Sequence, residues 1–318
     1  MEALELRGAT YRVEILTGPA LARLIPLFRD AFGRDFSAAA LERKYASAHG
    51  GLTGFSCAAF GEQGEPAGSV GVLSWGARMG ERVETAGQMV DVATSSAHRG
   101  RGLFVALAER ARQVCEETGA GFLFGFPNEE AYPIWIHKLG YEHTDDLVEH
   151  RWPVRTLPVA RAAHRLGALG GLYDRYSSRT LAGRSAGETL RNSLVAEGFA
   201  GVDRDAGFHA YKRAFGGSRI VETAGGRAWI KVHHSLMIGD LEATSDAELE
   251  RTMHDLRRLA ARLGVRQIVS QTSKDTRLSR FFASRPGASR ELPVIHRDLA
   301  SALPRERLRY TLGDLDSF

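Results

Sequence analysis

His98-Arg99-Gly100-Arg101-Gly102-Leu103-Phe104 joins an apolar run, Met89–Thr94, to a strongly amphipathic stretch. In that stretch Leu103, Phe104, Leu107, Ala108, Ala111, Val114 and Cys115 share one face at helical spacing. Strand, glycine- and arginine-rich turn, helix: this arrangement offers unpaired backbone N–H groups and the positive end of a helix dipole to an anion. Gly100 and Gly102 let the backbone approach a ligand without a Cβ in the way. A phosphate at the helix start is the natural occupant, with Arg99 and Arg101 adding charge around it. Two common phosphate motifs are excluded by spelling. No G-x-x-x-x-G-K-[ST] run occurs, and a G-x-G-x-x-G reading fails because Val105 stands at the third glycine.

The segment Arg99-Gly100-Arg101-Gly102-Leu103-Phe104 resembles the R-x-x-G-x-[GA] turn of the GNAT acyltransferases, departing only at Phe104. The preceding Val92-Ala93-Thr94 resembles the strand end of one branch of that superfamily. A second block agrees in order and spacing: the apolar run Gly121–Phe126, then Asn128, then Lys138-Leu139-Gly140-Tyr141. GNAT domains place a strand, a short Asn-led helix and a K-L-G-[FYW] turn here. The resemblance covers roughly the first half of the chain. It implies an α/β (α+β) fold with a mixed, mostly antiparallel central sheet flanked by helices. It implies acetyl-CoA as co-substrate, held by Val92, Ala93, Thr94, the turn from Arg99 to Phe104, and Asn128. The implied reaction is direct attack of a primary amine of a small molecule on the thioester.

The family's chemistry needs a proton acceptor for the amine and a donor for the departing thiolate. Asp91 is the carboxylate inside the strand nearest the turn, and is the expected base or holder of a base water; Glu84 lies farther away. Many GNAT enzymes carry a thiolate-protonating Tyr four residues before the glycine of the K-L-G turn. Here that position is Ile136, so Tyr132, His137 or a water is left to do this work, and Tyr132 is the residue assigned. His98 reads as a positional residue. With the pyrophosphate at the turn and the pantetheine arm along the strand ending at Thr94, the acceptor groove is expected between the domain's fourth and fifth strands, walled by the first two helices and by the C-terminal domain. A chain that binds acyl-CoA without turning it over, as sensor or scaffold, is the alternative that Ile136 favours.

Periodicity and turns give the order β-α-α-β-β-β-α-β-α-β over the first half, partly independently of the motif. Pro26 is expected to divide the first helical segment. Leu157–Leu172 and Arg184–Phe199 read as helices. Phe208–Phe215, Arg219–Thr223 and Arg227–Asp240 are strand-like, followed by a helix at Ala247–Leu263, a strand at Arg266–Gln271, a short helix at Asp275–Ala283 and a strand at Leu292–His296. This resembles the later part of a second, degenerate GNAT-like domain. Its strand-to-helix turn, Leu241-Glu242-Ala243-Thr244-Ser245-Asp246, is acidic and lacks glycine, which implies no coenzyme there. The expected organisation is a coenzyme domain at 1–155, a helical connector at 156–206 and the degenerate domain at 207–318.

With 25% charged residues and a net charge of +4, the chain reads as globular, without a nucleic-acid-binding tail or motif. No apolar run spans a bilayer, and Met1–Arg7 lacks a secretory pattern, so a cytoplasmic protein with no membrane partner is expected. A homodimer is compatible with the chain. Cys57 and Cys115 form no C-x-x-C pair. His233 and His234, read as strand neighbours, point to opposite faces, so no metal site is expected.

Overall fold

The computed structural model describes every residue except 1, 168, 286 and 287. Its main elements begin with β1 (Glu2–Leu6), β2 (Ala9–Leu16), α1 (Ile25–Phe32), α2 (Ala38–Lys44), β3 (Phe55–Phe60), β4 (Pro66–Met79) and β5 (Arg82–Thr94). Next come α3 (Leu103–Glu117), β6 (Phe122–Gly125), α4 (Tyr132–Leu139), β7 (Glu142–Pro153), α5 (Val159–Arg165), α6 (Gly170–Ala182), α7 (Ser193–Ala196) and α8 (Ala206–Gly216). The chain continues through β8 (Arg219–Thr223), β9 (Gly226–Val232), β10 (Leu236–Glu242), α9 (Asp246–Arg262), β11 (Gln267–Ser273), α10 (Arg277–Ala283) and β12 (Ala288–Asp298). Two compact units result: Met1–Thr144 with Pro293–Glu306, and Asp145–Leu292 with Arg307–Phe318.

In the first unit β1 to β5 pair in chain order, each antiparallel to the last. Helix α3 then crosses over, and β6 pairs parallel to β5. The far edge of β6 takes Ile295–Asp298 of β12, antiparallel. Helix α3 buries Leu103, Leu107, Ala108, Ala111 and Cys115 against one face of this sheet, as its periodicity requires. Pro26 occupies the first turn of α1, where a missing N–H is harmless, and a 3-10 turn precedes it, so the proline divides the segment as expected.

The second unit repeats these strand directions. β8, β9 and β10 form an antiparallel meander, α9 crosses over, β11 pairs parallel to β10, and β7 pairs antiparallel to β11. The closing strands are therefore exchanged relative to chain order. The strand after Gly140 was expected to complete the first domain, and Leu292–His296 the second. Instead Trp152 lies in the core of the second unit and Ile295 in the core of the first. The first unit thus ends at Thr144, short of residue 155, and regains Pro293–Glu306.

Other expectations change too. The 156–206 segment lies within the second unit, because Ala160, Ala163, Tyr173 and Leu181 are buried in its core. Its first helix is broken near Gly167, whose φ of 56° is left-handed, and in Arg184–Phe199 only Ser193–Ala196 is α-helical. Phe208–Phe215 is helix α8: Asp205 accepts a hydrogen bond from the Phe208 amide at 2.7 Å, a cap that local strand propensity does not reveal. Arg227–Asp240 is two strands, turning at His233–Ser235. β1 had no counterpart in the sequence reading.

Candidate active site

The turn before α3 has the conformation its glycines allow. Gly100 and Gly102 have φ of 75° and 92°, and a Cβ at either would meet nothing within 4 Å. The space over the turn is open. Gly102 is the N-cap of α3, no side chain caps the helix, and its first turn has no acidic residue. The positive end of a 15-residue helix is thus left for an external anion. The turn is braced from behind. The Tyr11 hydroxyl lies 3.0 Å from His98 Nδ1 and accepts a 3.3 Å hydrogen bond from Arg101 Nη1. Asp30 of α1 accepts hydrogen bonds from the Ser96 amide at 2.7 Å and the Ser96 hydroxyl at 3.2 Å, and the amide bond above all holds its carboxyl below the usual range. Phe104, the departure from the family turn, packs edge-on against Trp135 of α4 at 5.1 Å, so it faces helix packing and leaves the turn unobstructed.

β5 leads into this turn, and there the sheet opens. β5 and β6 pair only from Ala86/Phe122 to Met89/Gly125. Beyond that, β5 runs on to Thr94 while β6 has ended. Val90, Ala93 and Thr94 still pair with β4 on the other side. One edge of Val90–Thr94, the stretch holding the expected Val92, Ala93 and Thr94, therefore has no strand partner among the described residues. The register with β4 shifts between Ser69/Ala93 and Gly71/Val90, a bulge that places Asp91 at φ 47°. That conformation costs about 1–3 kcal/mol for a residue with a Cβ and needs support.

The support comes from α2. Lys44 Nζ donates to Asp91 Oδ1 at 2.6 Å, and the Tyr45 hydroxyl donates to Oδ2 at 2.9 Å. The Lys44 and Asp91 side chains are 9% and 14% exposed, so this ion pair is largely withdrawn from water. Tyr45 reaches Asp91 across Gly71: a Cβ there would lie 2.1 Å from its hydroxyl oxygen. Lys44 and Tyr45 were not anticipated as site residues. The available signal was Lys44 three residues after Leu41, on the buried side of α2, where an apolar residue belongs.

The remaining residues are more dispersed. Asn128 Oδ1 accepts from the Ala131 amide at 2.9 Å, leading into α4. The Tyr132 hydroxyl lies 2.8 Å from His143 Nδ1, with the rings edge to face. His137 is exposed near the other end of α4. Glu84 accepts from the Ser301 hydroxyl at 2.7 Å and the Ala302 amide at 3.0 Å, roughly 30 Å of strand away from Thr94. A cleft of about 350 Å³ beside it, lined by Glu84, Glu116 and Leu299, lies at that remote end.

The corresponding places in the second unit are closed. The N-terminus of α9 is capped by its own chain: Ser245 Oγ accepts from the Glu248 amide at 3.3 Å, and Glu248 Oε2 accepts from the Ser245 amide at 3.2 Å. Asp246 and Glu248 add negative charge. Where β10 outruns its pairing with β11, residues 310–314 fill the gap. Thr311 bridges Thr272, the Ser273 amide donates to Tyr310 O at 2.9 Å, and Asp314 holds the fully buried Arg204, which also binds Asp240. His233 and His234 sit in the β9–β10 turn with rings 3.9 Å apart, beside His164, so the expectation of opposite faces fails because the turn replaces the strand. No cluster of three or more His, Cys, Asp or Glu able to hold a metal occurs among the described residues.

Residues 13–144 match the family model of the acetyltransferase (GNAT) domain. No curated protein sequence matches the chain. Among solved structures, a conserved protein from Enterococcus faecalis V583 described as a probable N-acyltransferase superposes with a TM-score of 0.61 at 13% identity, covering 91% of this chain and 73% of that one. A GCN5-related N-acetyltransferase from Kribbella flavida gives 0.56 at 16% identity, with 91% and 72% covered. A putative acetyltransferase from Pyrococcus horikoshii gives 0.55 at 14%, with 96% and 95% covered. At these identities the likeness is one of fold.

Proposed function

We propose that the chain, whose residues 13–144 match the acetyltransferase (GNAT) domain model, is an acetyl-CoA-dependent N-acyltransferase acting on a primary amine of a small molecule. The observation that carries this reading is the parting of β5 from β6 beside an open helix start. The turn from Arg99 to Phe104 receives the pyrophosphate, on the N–H groups of Gly102 and the first turn of α3, with Arg99 and Arg101 supplying charge. An extended pantetheine arm takes the place of a strand along the unpaired edge of Val92–Thr94, where backbone groups lack sheet partners. This delivers the thioester to the bulge at Asp91.

The amine nitrogen attacks the thioester carbonyl, the C–S bond breaks, the amine gives up a proton and the thiolate gains one. An amide of the open strand edge is suited to the carbonyl oxygen as its charge develops. Asp91 takes the amine proton directly or through one water, and Lys44 and Tyr45 fix the geometry of its carboxylate. Tyr132, paired with His143, returns a proton to the thiolate in place of the residue missing at Ile136. The second unit takes no coenzyme. Acetyl-CoA turnover, followed as thiol release across a panel of small amines, tests the proposal: release that depends on one of them supports it. Binding of acetyl-CoA without release on any amine would support instead an acyl-CoA sensor or scaffold, the reading that Ile136 favours.

A further inference from the structure

Helices α5 and α6 of the second unit turn their small and aromatic residues, Ala160, Ala163 and Tyr173, into the core. Their outer side is not polar. Leu157, Leu166 and Leu172 are 76%, 65% and 59% exposed, and Val159, Leu169 and Tyr176 are exposed beside them. Leu169, the N-cap of α6, recurs with Leu172 and Tyr176 at three- and four-residue spacing, and Val159, which opens α5, stands two turns before Leu166, its C-cap, so exposed apolar residues line one edge of each helix. Concentrated exposed leucines of this kind mark a surface that something covers.

The charge around them indicates what. Between residues 155 and 183 the chain carries Arg155, Arg161, Arg165, Arg175 and Arg179 against a single acid, Asp174. A second copy of the same face would bring arginine onto arginine, because a two-fold contact repeats one patch on both partners. An anionic sheet with an apolar interior answers both features: leucines enter the acyl boundary while arginines meet headgroup phosphates. We infer that the exposed faces of α5 and α6 are a peripheral docking surface for anionic lipid bilayers. No helix among the described residues is long and apolar enough to cross a membrane, so the contact is a surface one.

Cosedimentation of the full chain with vesicles tests this. Phosphatidylcholine vesicles containing phosphatidylglycerol should carry the protein down, vesicles of phosphatidylcholine alone should not, and added salt should release it. Leu166→Ser with Leu172→Ser should weaken partitioning by about tenfold or more, since each removes a buried leucine from the bound state. Arg161→Glu with Arg165→Glu should abolish the preference for phosphatidylglycerol. Both pairs lie on exposed positions, so circular dichroism should report an unchanged fold. Three outcomes would overturn the inference: no sedimentation with the anionic vesicles, sedimentation insensitive to both double variants, or a wild-type dimer in size-exclusion light scattering that the leucine variant splits. The last would assign this face to a second copy of the chain.

Discussion

Lys44 Nζ lies 2.6 Å from Asp91 Oδ1, tying the last turn of α2 to the strained bulge of β5. The pair does two things at once: it balances a carboxylate that is nearly out of water, and it holds a left-handed residue at the point where the sheet opens. Asp91→Asn keeps shape and removes proton acceptance, so kcat should fall about 10²–10⁴-fold with little change in acetyl-CoA affinity. Lys44→Met strands the carboxylate and should lower stability by up to about 3 kcal/mol in denaturant titration. Wild-type kcat in Asp91→Asn, on a true acceptor, would remove Asp91 from the chemistry.

Tyr132 stands one helical turn before Ile136 on α4 and is the residue assigned the proton. Tyr132→Phe should lower kcat and leave acetyl-CoA binding intact, because only the proton donor is lost. Steady-state kinetics with and without the hydroxyl separate the two readings. An unchanged kcat at every pH would leave solvent as the proton source.

One acetyl-CoA should bind per chain. The second unit has the same crossover, but Glu248 and Ser245 already satisfy the α9 start, and residues 310–314 occupy the gap between β10 and β11. A calorimetric stoichiometry near one per chain is expected. Two sites per monomer would contradict the account of the second unit.

Acid should destabilise both units before their carboxylates titrate. His209 in the second unit and His296 in the first are each 2% exposed, and burial lowers both to about 4 from an ordinary 6.5. Between those values the unfolded chain binds protons that the folded chain does not. Stability is therefore full above pH 6.5 and falls toward pH 4, by about 1.4 kcal/mol per pH unit for each imidazole. Urea titrations at successive pH values should show this slope, and His209→Gln should reduce it.

Much of the first unit was legible because its signals are local. The meander from Phe55 to Thr94 is bounded by turns, and the glycine turn and the α3 face lie next to each other in sequence. The exchange of closing strands is not legible: the stretch after Gly140 and Leu292–His296 both read as strands, and nothing in either names the sheet it joins. α8 was misread because aromatic and β-favouring residues at Phe208, Tyr211 and Phe215 resemble a strand, while the deciding cap at Asp205 lies outside the run. At the site, Asp91 and the turn follow from motif position. The Lys44 and Tyr45 partners come from 47 and 46 residues away, and only packing brings them in.

If the open turn before α3 receives the coenzyme's pyrophosphate, a side chain placed there must displace it. Gly102 has φ 92° and free space above it, so Gly102→Glu places strain, bulk and a negative charge where phosphate oxygens belong. Isothermal titration of acetyl-CoA into the wild type and this variant, with the fold checked by circular dichroism, is the most direct test. The variant's affinity should be lower by about tenfold or more, equivalent to about 1.4 kcal/mol or more. A folded variant that binds acetyl-CoA as tightly as the wild type would contradict it.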